Sequence, residues 1–218
     1  RTAAQLLLSL LAADDCARFA RAAAPLLRDG PPPALQPHGR AARNWSWLHA
    51  AAAQGAAAIL QWLLSPGVLR GPAGSPERRA GDGRTPLHMA AEHRHAGSAD
   101  CASLEALVRS GAIVTTPRKP DGLTAAHLCC AADCARCLRL LLQRAPHLVD
   151  VPCRGRGEQP LHVAARCGSL ECIGACCFHG TRVDVAARGS VHEPSPLHLA
   201  CVHSPSRRAV RLLLERHA

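Results

Sequence analysis

Tyrosine is absent from this chain of 218 residues, phenylalanine occurs twice, tryptophan three times and methionine once. With aromatics at 2% and hydrophobic residues at 48%, any core must be assembled from Leu, Ala, Val and Cys in thin layers, which excludes a large aromatic core. The same scarcity removes the stacking platforms on which single strands of nucleic acid are held. Lysine is nearly missing as well. Lys119 stands alone, so the formal net charge of +10 comes almost wholly from arginine. Acidic residues number 16, and no two stand at the helical spacing that a carboxylate pair for acid–base chemistry would use. No run approaches the roughly 18 consecutive apolar residues of a membrane span, no signal segment opens the chain, and there is no P-loop or nucleophile elbow. These absences argue against an enzyme and against a membrane protein, and no catalytic residue, metal or cofactor is assigned. Arg1 is not an initiator methionine, so the chain is expected to be a piece of a longer protein.

What is present is repetition. Ser46-Trp47-Leu48-His49, Thr85-Pro86-Leu87-His88, Thr124-Ala125-Ala126-His127, Gln159-Pro160-Leu161-His162 and Ser195-Pro196-Leu197-His198 align, with their histidines 35 to 39 residues apart. A period in the thirties marks stacked supersecondary units. Each tetrad opens a short helix, a break follows, often at a Gly such as Gly55 or Gly168, and a second helix comes next. In one unit that second helix is expected near Leu170 to Phe178, ending at Gly180. The tetrad has a physical logic: Ser or Thr caps free N–H groups, Pro fits the first helical position and Leu points into the stack. The histidine is expected to bond the cap or neighbouring backbone, a buried and satisfied role rather than a metal ligand or base. Five histidines one unit apart cannot converge on one site.

These residues resemble the ankyrin repeat, whose pattern reads Gly-x-Thr-Pro-Leu-His-x-Ala-Ala, then Gly, then a Leu-Leu pair and Gly-Ala. The resemblance runs from about residue 44 to 218. It implies an all-α solenoid of stacked helix-turn-helix units with finger loops. The expected array has a degenerate first unit over 1–43, units over 44–83, 84–122, 123–157 and 158–193, and a partial unit over 194–218. In the first, Leu26-Leu27 and Gly30 match a helix end, but the tetrad is missing. Residues 133–145 and 169–180 are also similar to the ankyrin arrays of SOCS-box proteins, substrate receptors of cullin-RING ubiquitin ligases. Contact with elongins B and C and cullin would need a C-terminal box that is not in this chain.

Twelve cysteines sit mostly within apolar helical patterns, so they read as reduced intracellular thiols of a protein of the cytoplasm or nucleus. The cluster Cys129, Cys130, Cys134, Cys137 has the look of a zinc site. Its register on two helices instead makes these ordinary small core residues.

A recognition module uses its concave helices and finger tips. Arg84, Arg118, Lys119, Arg154, Arg156 and Arg188 fall at the tips and are expected to form a basic stripe for an acidic protein partner. Trp45 and Trp47 near a tip are candidate interface anchors, with packing against the first unit as the equal alternative for both. Gln54, Glu92, His93, Arg166 and His203 would face the groove. Two further readings use the same surface or charge: an inhibitor or coregulator array masking a transcription factor, and direct nucleic-acid binding, against which the missing aromatics and lysines count.

Overall fold

A computed structural model of the chain describes residues 3–27, 44–69, 74–93, 101–119, 121–187, 194–203 and 207–217. Their regular structure is entirely helical, and no described helix is long and apolar enough to cross a membrane. The chain divides into two compact units, residues 1–113 and 114–218.

The first unit contains α1 (Ala3–Ala12), α2 (Cys16–Ala23), α3 (Trp47–Ala53), α4 (Ala57–Leu64), α5 (Pro86–Glu92) and α6 (Ala102–Arg109). The helices pair as α1 with α2, α3 with α4 and α5 with α6; α3 stacks on α5, while α2, α4 and α6 form the second row. The N-terminal residues thus form a full helix pair without a tetrad. Asp14, in the turn of that pair at φ 50°, accepts from the N–H groups of Ala58 (2.8 Å) and Ile59 (3.0 Å). It caps α4, whose own N-cap Ala56 has no side-chain acceptor. Aromatic residues concentrate here: Phe19 meets Trp47 edge-on at 5.6 Å and Trp62 at 6.3 Å. Trp47 is 2% exposed. It is a packing residue, which corrects its candidacy as an interface anchor: α2 supplies the apolar cover that a tip would lack.

The second unit contains α7 (Ala125–Ala131), α8 (Ala135–Arg144), a 3-10 turn (Pro146–Asp150), α9 (Pro160–Cys167), α10 (Leu170–Phe178), α11 (Pro196–His203) and α12 (Arg207–His217). First helices stack as α7, α9, α11 and second helices as α8, α10, α12. Between α7 and α10, Cys129, Cys130, Cys172 and Cys176 are wholly buried, Ser169 Oγ donates to the Cys130 carbonyl at 2.9 Å, and Cys172 Sγ faces the Cys129 carbonyl at 3.9 Å. Burial pushes the Cys129 thiol well above its usual range; hydrogen bonding with Cys172 and Cys176, then burial, does the same for Cys130. Such groups pack as uncharged thiols. Ten of the twelve cysteines, these four among them, carry no disulfide.

The tetrad histidines hold the layers of each unit together. Their Nδ1 atoms accept from the N–H three residues earlier: Ser46 to His49 at 3.2 Å, Thr85 to His88, Thr124 to His127 and Gln159 to His162 at 3.1 Å each. A backbone N–H can only donate, so Nδ1 carries no proton and the neutral ring carries it on Nε2. That proton points at the next turn: His49 Nε2 lies 3.2 Å from the Arg84 carbonyl, His127 Nε2 3.0 Å from that of Glu158, and His162 Nε2 2.9 Å from that of Val185. Burial, only partly offset by these bonds, holds the imidazoles of His49 and His127 down to about 4.

A depressed imidazole means that the unfolded chain binds protons the folded chain refuses. Stability should therefore be fully present above pH 6.5 and be lost as pH falls from 6.5 towards 4, with a slope of up to about 1.4 kcal/mol per pH unit for each histidine. Urea denaturation at stepped pH measures this, and a flat profile across that window would contradict it.

Candidate protein-recognition surface

Helices α5, α7 and α9 are each preceded by a closed turn. Ala80 N–H donates to the Arg84 carbonyl at 2.8 Å, Arg118 N–H to that of Leu123 at 2.7 Å and Cys153 N–H to that of Glu158 at 2.8 Å. The turns tighten at Gly83, Gly122 and Gly157, all at positive φ, where a side chain would be strained. In the second unit, two turns touch. Arg154 N–H donates to the Asp121 carbonyl at 2.8 Å, and a Cβ on Gly122 would lie 2.6 Å from Arg154 Cγ, so only glycine permits this approach.

Charges near the turns follow a rule. Arg84 stands immediately before its tetrad, and Glu92 four residues after its histidine; Arg84 Nη1 meets Glu92 Oε2 at 2.7 Å and Arg84 Nε meets Asp82 at 3.3 Å. At the same two places in the second unit stand Glu158 and Arg166, paired at 3.1 Å. The polarity is reversed while the geometry is kept. Between them in sequence, the equivalent places hold the uncharged Leu123 and Ala131. The Glu158 carboxylate is buried and also attracts Arg156 at 3.8 Å.

The predicted basic stripe is accordingly thinned. Arg84 and Arg166 are neutralised by Glu92 and Glu158, and Arg118, largely buried, clasps Asp121 with Nε 3.1 Å from each carboxylate oxygen. Burial opposes ionisation of Asp121, yet its hydrogen bonds from Arg118 and the Leu123 N–H outweigh that and hold its carboxyl below the usual value. As free cations for a partner, these three are corrected: they position the turns. Lys119, Arg154 and Arg156 are exposed on the two touching turns, and Lys119 and Arg154 make no ion pair among the described residues. Arg188 lies outside the described residues. Trp45 is half-buried, stacked on His49 at 5.2 Å, and His93 is half-buried with its ring against Gly55, where a Cβ would come within 2.7 Å of Nε2. Gln54 and His203 are exposed. Sequence reading missed Asp121 and Glu158 as partners; for Glu158 the signal was available, since the positions before the tetrad and four after the histidine carry opposite signs both there and at Arg84 and Glu92.

Reversing the second pair to the polarity of the first tests this. Glu158→Arg should cost on the order of 2 kcal/mol, because it sets a buried cation beside Arg166. Adding Arg166→Glu should restore most of the loss in urea melts. A double variant as unstable as Glu158→Arg alone would refute the shared geometry.

A family model for ankyrin repeats (3 copies) matches residues 48–151 and 95–187, well over half of the chain. Among curated proteins, the B-cell lymphoma 3 protein homolog of Mus musculus is 33% identical over 105 residues, 47% of this chain and 22% of that protein. Ankyrin repeat domain-containing protein 37 of Xenopus tropicalis is 30% identical over 102 residues, again 47% of this chain and 61% of that protein. The chain thus spans less than two thirds of either relative. Stacked helix pairs, capped tetrads with bridging histidines and the family match lead to one conclusion: the chain belongs to the ankyrin-repeat family, a family of protein–protein interaction modules.

Proposed function

We propose that this chain is a non-enzymatic recognition module that binds an acidic segment of a partner protein, with Lys119, Arg154 and Arg156 as its electrostatic contact in the second unit. The observation that carries this is the contact of two turns through Arg154 N–H and the Asp121 carbonyl. It gathers three exposed cations on rigid, glycine-tightened loops while the neighbouring Arg118 and Arg166 are internally neutralised. Preorganised cations lose little entropy on meeting carboxylates and speed the encounter. Within the same unit, the exposed first-helix residue His203 is a further polar contact, and in the first unit exposed Gln54 is a polar contact of its own.

Two roles fit such a surface. The similarity to the B-cell lymphoma 3 protein homolog supports an inhibitor or coregulator array. The likeness of residues 133–145 and 169–180 to SOCS-box arrays supports the substrate-selecting part of a ubiquitin ligase receptor.

The test is a nuclease-treated pull-down from cell lysate with the wild-type chain and a Lys119→Glu, Arg154→Glu, Arg156→Glu variant, read by mass spectrometry. Loss of a specific set of acidic partners from the variant is expected, and recovery of transcription regulators or of ligase substrates would separate the two roles. Identical captures would contradict the electrostatic contact.

A further inference from the structure

A second surface lies on the opposite row of helices in the second unit. Helices α8, α10 and α12 enclose a groove of about 500 Å³, lined by Arg139, Gln143, Gly174, Phe178 and Arg216 among others. That volume is within the range of ligand sites. Two of its features have no account in the fold. Phe178, one of only two phenylalanines in the chain, is 84% exposed, its ring touching only the edge of His179 at 5.5 Å among ring contacts of the described residues. Gly174 sits in the middle of α10, where glycine is less favourable than alanine by about 1 kcal/mol. No positive φ requires it, and a Cβ there would meet no atom within 4 Å. Packing within the unit therefore gives no reason for the missing side chain. Its absence deepens the groove.

The charge around the groove is positive. Arg139 projects from α8 and Arg216 from α12, with Gln143 one turn beyond Arg139. Arg139 pairs with Glu171 at 3.1 Å, but both side chains are more than half exposed, so the pair is weak and exchangeable. Arg216 makes no ion pair among the described residues. An apolar floor flanked by two cations selects a bulky apolar group flanked by carboxylates. The open trough and the uncovered Phe178 suit a polypeptide, which can lay side chains over the ring, better than a small molecule that would leave it wet.

We propose that the α8–α10–α12 groove is a second docking site, separate from the turns and first helices, for a partner segment with one large apolar side chain between acidic residues. The apolar side chain occupies the space above Gly174 against Phe178, and the carboxylates meet Arg139 and Arg216.

The experiment is selection of a phage-displayed random dodecapeptide library on the full chain, followed by fluorescence anisotropy of the enriched peptides. Enriched peptides should carry Leu, Phe or Trp bounded by Asp or Glu. Gly174→Leu, which fills the groove and favours the helix, should weaken binding on the order of tenfold without lowering the melting temperature. Phe178→Ser and Arg139→Ser with Arg216→Ser, all at exposed side chains, should each weaken binding too, whereas Glu171→Gln should tighten it by freeing Arg139. No enrichment, enrichment without acidic flanks, or peptides that bind these variants as they bind the wild type would overturn the proposal.

Discussion

Two backbone carbonyls, those of Arg84 and Glu158, each receive two protons: one from the N–H that closes their own turn, one from a histidine Nε2 of the preceding first helix. The rest of each unit depends on this shared acceptor. It ends the turn, fixes where the next tetrad begins and joins neighbouring layers through a buried side chain. A carbonyl has two lone pairs, so the arrangement leaves no buried donor or acceptor unmet at the joint. The histidine must be neutral, which its burial enforces, and in one tautomer, which the backbone N–H donated to its Nδ1 sets.

Once the turns are so placed, the electrostatics follow. Before the α5 and α9 tetrads the preceding residue meets the residue four after the histidine, as Arg84 with Glu92 in one and Glu158 with Arg166 in the other. The chain's arginine excess is therefore filtered. Cations at constrained places are consumed by Asp121, Glu92 and Glu158, and those left outward, Lys119, Arg154 and Arg156, are held on stiff loops.

Much of the fold was legible because the tetrads encode local physics. Capping residue, helix start and histidine bond all act within four residues, and α10 begins and ends where the pattern placed it, at Leu170 and Phe178. The first helix pair was less visible: α1 lacks a tetrad, and the cap on α4 comes from Asp14, far away in sequence. Trp47 could not be assigned from sequence, since its burial depends on Phe19 in a unit without the motif. The candidate site was legible in composition but not in detail. A list of arginines says nothing about which carboxylate each will meet, and the groove over Gly174 arises from three helices whose faces only packing brings together.

The central claim is the tautomer at the joint. Long-range nitrogen–proton correlation spectra of the chain with nitrogen-labelled histidine, recorded near pH 6, distinguish the two neutral tautomers from imidazolium. The account predicts that His49, His127 and His162 appear as neutral rings protonated at Nε2. Imidazolium signals, or protons on Nδ1, at these three positions would contradict it.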